Sequence, residues 1–162
     1  MRITARFAAL ATVAAIGLGT VGAGTAQAAP APGQAALTAA RSTKVHLYNG
    51  TGCSLVRTGY GLAHGIWSQG QEPPYTVGDT YLVPFQSESN GFMTGTEGWV
   101  SYQSYNCDDS WRNGKNIMMH WANPYVGSNS YDDYGTDYGI FSMNRESGGG
   151  DNADVYWSAM KG

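Results

Sequence analysis

Hydrophobic and polar residues alternate in several short runs of the chain. In residues 44–48 every second residue is apolar, so one face of an extended strand is hydrophobic, and Asn49-Gly50 predicts a tight turn after it. The other runs that predict strands are residues 55–63, 81–85, 99–103, 117–121, 138–143 and 154–158.

Seven short strands separated by turn residues predict an all-β fold, either a sandwich or a closed barrel. Helix-favouring windows are scarce, and a Pro-Pro pair at 73–74 and a Gly-Gly-Gly run at 148–150 interrupt the longer connections. Pro84 cannot donate a hydrogen bond to a neighbouring strand, so we expect its strand to lie at a sheet edge or to be bulged. We predict one domain, residues 43–162, that folds as an antiparallel β-sandwich with little helix.

The first 28 residues have the plan of a secretory signal peptide. Two arginines give a positive start, residues 7–19 form an apolar run, and an A-x-A cleavage signal ends at Ala28. A transmembrane anchor is the alternative, but this run is short and glycine-rich for a span of about 30 Å of hydrocarbon. We therefore expect a secreted, extracellular protein. Residues 29–42 are small and contain proline, which predicts a flexible leader before the domain.

The exported chain would contain two cysteines, Cys53 and Cys107. In an oxidising compartment the simplest interpretation is one disulfide, and two separate thiols are the alternative. Neither cysteine has metal-ligand spacing around it, so no zinc site is predicted. A bridge between them would close a loop of about 54 residues and stabilise the fold by about 4 kcal/mol.

Composition and charge exclude several classes of protein. Charged residues make up 13% of the chain and aromatic residues 12%, which is unlike a disordered polyelectrolyte. The formal net charge is −3, and it becomes −5 without Arg2 and Arg6 of the signal peptide. Such a protein lacks the basic surface of a nucleic-acid binder. If it binds a membrane, the charge favours zwitterionic or neutral lipids over anionic ones.

Sequence patterns of catalysis are missing from the chain. It contains no H-E-x-x-H, no G-x-S-x-G and no phosphate-binding loop, and no cofactor is implied. The three histidines, His46, His64 and His120, stand alone among apolar or strand residues, so structural roles are expected. We predict that the protein is not an enzyme. A hydrolase that uses His64 or His120 is the alternative.

A short acidic stretch contains candidate ligands for a calcium ion. Asp132, Asp133 and Asp137 could supply oxygen ligands, but their order differs from that of an EF-hand loop. A solvated acidic turn is the simpler interpretation, and no metal site is predicted.

Aromatic residues are concentrated in polar, glycine-containing segments of the second half of the chain. Tyr125, Tyr131 and Tyr134 have mainly Asn, Ser, Gly and Asp neighbours, which favours surface loops. Trp121 ends an apolar run, so both core packing and exposure are open for it. Exposed rings suit lipid headgroups, sugars and quaternary ammonium groups. We expect Trp121 and the three tyrosines to contact a ligand.

Three stretches together resemble a known group of proteins. Residues 94–102 follow a G-x-x-G-x-V-x-Y pattern, residues 117–131 join an apolar strand to Asn-Pro-Tyr and a further Tyr, and residues 45–51 are a first strand that ends in N-x-T. Their order and spacing resemble the actinoporin-like and aegerolysin-like β-sandwiches, which are secreted proteins that bind lipids. The resemblance is greatest to small bacterial and fungal members similar to a Bacillus crystal protein.

This resemblance implies a phosphocholine- or sphingolipid-type headgroup site. Pro124 and Tyr125 match the strand-to-loop segment beside that site in actinoporins, and Tyr131 is a looser match. Actinoporins form pores through an amphipathic N-terminal helix, and the leader contains nothing comparable. Aegerolysin-like proteins bind lipid without such a helix and can recruit a larger pore-forming partner.

The sequence therefore predicts a secreted membrane-lipid-binding module or toxin component, such as part of a cytolysin. The predicted ligand-binding residues are Trp121, Pro124, Tyr125, Tyr131 and Tyr134. A secreted carbohydrate-binding lectin of similar fold is the alternative, because the same rings and polar loops can stack on sugars.

Overall fold

The computed structural model describes residues 39–162. The predicted signal peptide and residues 29–38 of the predicted leader lie outside the described residues. The strands are β1 (Ser42–Gly50), β2 (Ser54–His64), β3 (Ile66–Trp67), β4 (Thr76–Val77), β5 (Leu82–Glu88), β6 (Thr96–Tyr105), β7 (Asn116–Asn123), β8 (Ser130–Asp132), β9 (Phe141–Ser147) and β10 (Asn152–Lys161). Helical structure within residues 39–162 is limited to one 3-10 turn, Ser110–Arg112, and no helix there could cross a membrane.

The ten strands form two five-stranded sheets that pack face to face, as predicted for an all-β sandwich. One sheet has the order β3-β5-β1-β10-β9 and the other the order β4-β2-β6-β7-β8. One strand pair departs from the antiparallel prediction, because β1 and β10 run parallel, with Ser42 opposite Asn152. These are the first and last strands, so no hairpin dictates their relative direction.

Alternation along the strands fills the space between the sheets. In β1 every second residue is buried, and β7 and β10 repeat the pattern. Each large apolar side chain removed from water contributes about 1.5–3 kcal/mol. The core includes Val45, Leu47, Leu55, Phe85, Val100, Tyr102, Ile117, Met119, Trp121, Phe141, Val155 and Trp157.

Asn49 and the disulfide fix the connection from β1 to β2. The predicted turn comes slightly later than expected, because β1 continues through Gly50. Asn49 is buried, and its Nδ2 donates to the carbonyl oxygens of Cys53 at 2.8 Å and Gly78 at 2.9 Å. Cys53 is bonded to Cys107, which confirms the predicted pair. We call this side of the sandwich, where β1 ends and β9 begins, the far end.

Two further strand predictions can be compared with the structure. Pro84 pairs with β1, whereas β3 covers only Ser87 and Glu88, so its missing donor faces an open edge, as predicted. β9 begins later than the predicted start at residue 138. The amides of Ile140 and Phe141 both donate to the Asp137 carbonyl at 3.1 Å, which holds residues 137–140 in a turn.

Candidate functional site

Three loops meet at the end of the sandwich opposite the disulfide. They are residues 89–95 between β5 and β6, residues 124–129 between β7 and β8, and residues 148–151 between β9 and β10. Strand register places them together, since Ser42 lies opposite both Glu88 and Asn152 in one sheet. Asn123 of the other sheet donates from Nδ2 to the Ser42 carbonyl at 3.0 Å. We call this the three-loop end.

Arg41 fastens the 124–129 loop to the first strand. Its Nε donates to the Pro124 carbonyl at 3.2 Å and its Nη2 to the Tyr125 carbonyl at 2.7 Å. The guanidinium also lies 5.2 Å from the centre of the Tyr125 ring and pairs with Asp151 at 2.5 Å. Arg41 and Ser42, the last two residues of the predicted leader, are therefore integral to the fold.

Gly95 allows the 89–95 loop to lie against the 124–129 loop. A Cβ atom at this position would lie 2.5 Å from the Asn123 carbonyl oxygen and 2.7 Å from the Pro124 Cα. Both neighbours are backbone atoms, so moving them to make room for the Cβ atom would cost free energy. The close approach therefore requires glycine. It also determines how far the residues of the 89–95 loop project from the end of the sandwich.

Exposed apolar side chains occupy the tips of these two loops. Phe92 is 89% exposed and Val126 is 81% exposed. Met93, which has a left-handed backbone with φ 56°, is half-exposed beside Phe92. Together with Ile66 and Tyr125, Phe92 and Met93 line a cleft of about 510 Å³, which we call the apolar cleft. Large apolar groups left in water at adjacent loop tips are typical of a binding surface.

A second cleft of about 430 Å³ shares Met93 and Tyr125 with the apolar cleft. Its walls also include Thr94, Pro124 and the carboxylate residue Glu97, so we call it the acidic cleft. Its other lining residues are Ala63, His64, Gly65, Asn90, Gly95, Thr96 and Ala122.

The third cleft, of about 650 Å³, lies between the 124–129 and 148–151 loops. The Tyr131 hydroxyl donates to the Gly148 carbonyl at 2.7 Å, and the Arg145 guanidinium lies 4.9 Å from the Tyr131 ring centre. Burial raises the pKa of the Tyr131 phenol, against weaker lowering effects of Asn129 and Arg145. This largely polar cleft, which we call the glycine cleft, is also lined by Arg41, Pro124, Asp151 and four glycines, Gly127, Gly148, Gly149 and Gly150.

Of the five predicted ligand-binding residues, the structure brings Pro124, Tyr125 and Tyr131 to the three-loop end. Pro124 lines both the acidic and the glycine clefts. Tyr125 lies under Arg41 and Tyr131 is bonded to Gly148, so both rings are half-buried rather than free in solvent.

Of the two possibilities left open for Trp121, the structure shows core packing, so the expected ligand contact of its ring is wrong. Its side chain is buried, because inward-facing positions alternate along β7 and Trp121 occupies one of them. The indole Nε1 donates to the Ser87 hydroxyl at 2.9 Å, and its ring packs against Trp67 and Phe85 with centroid distances of 5.9 and 5.8 Å. Trp121 therefore joins the two sheets instead of presenting a ring to a ligand.

Tyr134 is exposed as expected, but it lies away from the other predicted residues. It belongs to the connection from β8 to β9, which runs toward the far end. There the Asp137 amide donates to the Asn116 carbonyl at 2.9 Å. Tyr134 is 76% exposed and takes no part in the three clefts.

The acidic stretch near Tyr134 serves the fold. Asp137 accepts the Asn116 amide at 2.7 Å, and Asp132 accepts the Tyr134 amide at 3.3 Å and contacts His120. Within residues 39–162, no three His, Cys, Asp or Glu side chains are arranged to hold a metal ion.

The sequence shows the histidines as isolated, whereas the structure gives each of the three a carboxylate neighbour. Asp154 Oδ1 lies 2.9 Å from His46 Nε2, and Glu97 Oε2 lies 3.9 Å from His64 Nε2. His120 Nδ1 lies 2.9 Å from Asp132 Oδ2, and its Nε2 lies 3.2 Å from Glu97 Oε1. In the described part of the chain, neither the His64 nor the His120 imidazole is hydrogen-bonded to a serine, threonine or cysteine side chain. Neither imidazole is therefore placed to activate a hydroxyl or thiol in this structure.

Sequence reasoning missed Phe92, Met93, Val126 and Glu97. A signal for the first two was present, since Phe92-Met93 is an apolar pair in a segment of Gly, Ser, Asn and Thr. Val126 stands likewise in polar loop sequence. Glu97 gave no signal, because its neighbours come from other strands.

Comparison with known proteins identifies solved structures of similar fold. No family model and no curated protein sequence matches the chain. Its structure is similar to the lipid binding protein Nakanori, with a TM-score of 0.63 and 15% identity over 76% of this chain and 73% of that one. It is similar to the RahU protein, solved in complex with a Tris molecule (TM-score 0.59, 12% identity, 77% and 98% coverage). It is also similar to IP-1A from Alcaligenes faecalis (TM-score 0.56, 18% identity, 75% and 91% coverage). The chain thus shares its β-sandwich fold with a lipid-binding protein.

Proposed function

We propose that the protein is a secreted, peripheral lipid-binding module that recognises a zwitterionic or sphingolipid-type headgroup through its three-loop end. The observation that carries this proposal is the exposure of two apolar loop tips: Phe92, which lines the apolar cleft, and Val126, which follows the cleft residue Tyr125. The fold shared with Nakanori supports it, as does the predicted resemblance to actinoporin-like and aegerolysin-like proteins.

The energetics favour weak and reversible docking. Removing one large apolar side chain from water contributes about 1.5–3 kcal/mol, so Phe92 and Val126 together contribute a few kcal/mol before any headgroup contact. The net charge of the exported chain gives no general attraction to anionic lipids. Headgroup contacts in the clefts must then add both affinity and selectivity.

For a toxin role, we propose that a second component takes part. Among residues 39–162 no amphipathic helix is available to line a pore. If the protein acts as part of a cytolysin, it would mark the membrane for a larger pore-forming partner. The proposal of a binding function, rather than hydrolysis, is supported by the partners of the His64 and His120 imidazoles, which are carboxylates among residues 39–162.

The test is co-sedimentation of residues 29–162 with vesicles of plain phosphatidylcholine and with vesicles that also contain sphingomyelin, while leakage is read in the same tubes. The double variant Phe92→Ser/Val126→Ser should lose most vesicle binding and keep the wild-type melting temperature. Tyr134→Ser is the control, because it removes another exposed ring, 76% exposed, outside the three-loop end, and it should bind like wild type.

The outcomes separate the alternatives. Binding without leakage supports a recognition module, whereas binding with leakage indicates a toxin that acts alone. No binding of the wild type to either vesicle would reject the proposal. The lectin alternative would then be tested with a glycan screen, for which the polar glycine cleft with Tyr131 and Asn129 is the favoured site.

A further inference from the structure

The chain contains three Asn-Gly pairs, and the structure gives them different surroundings. They are Asn49-Gly50, Asn90-Gly91 and Asn113-Gly114. Asparagine is chemically labile, because the backbone nitrogen of the next residue can attack its side-chain amide and expel ammonia. Glycine in that next position favours the attack, since it has no side chain in the way and adopts most backbone conformations. Hydrogen bonds and burial then decide which pair reacts.

The first pair is protected by burial. Asn49 Nδ2 donates to the Cys53 and Gly78 carbonyls at 2.8 and 2.9 Å. Its Oδ1 accepts the Thr51 hydroxyl at 2.7 Å, and the whole residue is buried. Turning this side chain toward the Gly50 nitrogen would leave buried polar groups unpaired, which is unfavourable.

The third pair is exposed, but both of its reacting groups are held. The Gly114 amide, whose nitrogen would attack, donates to the Ser104 carbonyl at 2.8 Å. The Asn113 Oδ1 accepts the Cys107 amide at 3.1 Å, next to the disulfide. An amide nitrogen that donates a hydrogen bond keeps its proton, so it is a poor nucleophile.

The second pair is exposed and free of such bonds. Among residues 39–162, neither the Asn90 side chain nor the Gly91 amide has a hydrogen-bonding partner. Gly91 has a backbone φ of 124°, which favours glycine, and a Cβ atom there would lie no closer than 3.6 Å to Thr94. The Asn90 side chain can therefore rotate to meet the Gly91 nitrogen.

We propose that Asn90 is a self-modification site, at which loss of ammonia turns a neutral amide into a carboxylate and weakens membrane binding. The modification itself follows from the geometry of the 89–95 loop. Its effect on binding rests on the proposed function.

The reaction needs only water. The Gly91 nitrogen loses its proton to solvent and bonds to Asn90 Cγ, while the Cγ–Nδ2 bond breaks and the amide nitrogen leaves as ammonia. Water then adds to one of the two carbonyls of the resulting succinimide ring and opens it. The product carries one new carboxylate, as aspartate or as isoaspartate with one extra carbon in the backbone.

The new charge would arise where the loop meets the membrane. Asn90 lines both the acidic and the apolar clefts and precedes the exposed pair Phe92 and Met93. A carboxylate must stay hydrated, so it opposes entry of these apolar side chains into the headgroup layer. Isoaspartate would also displace the loop tip by lengthening its backbone.

The experiment is incubation of residues 29–162 at pH 8.5 and 37 °C, followed by anion exchange and mass spectrometry of peptides. We expect a more acidic form modified at Asn90, with Asn49 and Asn113 intact, and slower formation at pH 6. Asn90→Gln should lose most of this product, because the longer side chain would have to close a larger ring. Asn113→Gln is the matched control, and it should form the product at the wild-type rate.

Unfolding the chain tests whether the fold selects the site. In concentrated urea the hydrogen bonds and burial are lost, so product should appear at all three pairs. The inference is overturned if the folded protein forms no product or reacts first at Asn49 or Asn113. Product confined to Asn90 in urea as well would also overturn it.

Vesicle co-sedimentation tests the consequence. Asn90→Asp reproduces the charge of the product, and it should bind vesicles several-fold more weakly than Asn90→Gln. Equal binding of these two variants would overturn the effect on membrane binding. The peptide analysis requires no lipid, so a wild type that binds neither vesicle would reject the proposed function while the modification at Asn90 could still be confirmed.

Discussion

Arg41 donates a hydrogen bond from Nη2 to the Tyr125 carbonyl at 2.7 Å, and its guanidinium lies over the ring of the same residue. The residue that precedes the first strand thereby holds the loop that contains two of the predicted ligand-binding residues. The same side chain pairs with Asp151, so it connects two of the three loops. Arg41 therefore helps to position the clefts, together with the hydrogen bonds that Asn123, Asn129 and Tyr131 donate to the 148–151 loop.

Replacing Arg41 should therefore loosen the 124–129 loop. Hydrogen bonds from a charged donor contribute about 1.5–3 kcal/mol, so Arg41→Ala should lower the free energy of unfolding by about 2 kcal/mol. Amide hydrogen exchange in the loop should accelerate as well. Arg145→Ala is the control, since Arg145 is exposed, contacts the Tyr131 ring and donates its hydrogen bond within its own strand, to the Ser147 carbonyl. Equal losses for both variants would contradict the special role of Arg41.

Gly95→Ala should displace the 89–95 loop. The added methyl would meet backbone atoms of Asn123 and Pro124, so we expect a loss of about 1–3 kcal/mol in unfolding free energy. Vesicle binding should fall further than that of a variant with equal stability, because Phe92 moves. Gly149→Ala has open space around its Cβ and should melt like wild type. A Gly95→Ala variant with wild-type stability would rule out the close approach.

Trp121→Phe tests the correction to the predicted ligand-binding set. Losing the bond to Ser87 and part of a buried ring should lower stability by about 1–3 kcal/mol. Vesicle affinity, measured well below the melting temperature, should be unchanged. Weaker vesicle binding with an unchanged melting temperature would contradict this prediction and indicate that Trp121 contacts the membrane.

Removing the disulfide should affect stability and binding differently. The bridge spans 54 residues, and the chain-entropy model assigns it about 4 kcal/mol. Cys53→Ser/Cys107→Ser should melt at a much lower temperature, yet bind vesicles normally in the cold, because the bridge lies at the far end. A thiol assay on the exported protein should find no free cysteine, and two free thiols would contradict the pairing.

The buried hydroxyl of Tyr102 leads us to predict how the free energy of unfolding changes at alkaline pH. Its buried hydroxyl donates to the Pro74 carbonyl at 3.1 Å, and burial raises the pKa of Tyr102 far above its usual range, against a weaker lowering effect of Arg57. In the unfolded chain a tyrosine ionises near pH 10. The folded pKa is the higher one, so this contribution is complete below about pH 10 and is lost as the pH rises beyond it.

Urea unfolding between pH 8 and 11.5 measures this loss. Tyr102→Phe should be less stable than wild type at pH 8, by about 1 kcal/mol for the missing hydrogen bond. Its stability should then fall less steeply above pH 10. Parallel curves for the two proteins would show that Tyr102 does not cause the alkaline loss.

The sequence predicted the strands well because alternation is a local property. Each predicted run overlaps an observed strand, and the inward residues of β1 are those that the pattern indicates. Local sequence patterns could not predict the parallel pairing of β1 with β10, because this pairing joins residues more than 100 positions apart.

The candidate site was only partly predictable for the same reason. Polar neighbours correctly placed Pro124 and Tyr125 in a loop, but a nearly continuous apolar run such as 117–121 does not reveal which of its side chains point inward. Glu97 acquires its setting from residues of three other strands and two loops. Such a setting exists only after the sheets form.

The direction of β10 has a practical consequence for anchoring the molecule to a solid support. This strand runs from Asn152, beside the three loops, to Lys161, which pairs with Phe141 at the opposite side. A tether attached to Gly162 would therefore project the recognition loops outward into the flow of a biosensor. A tether near residue 39 would crowd Arg41 and the clefts. The same protein should thus show higher binding capacity when captured through its last residue.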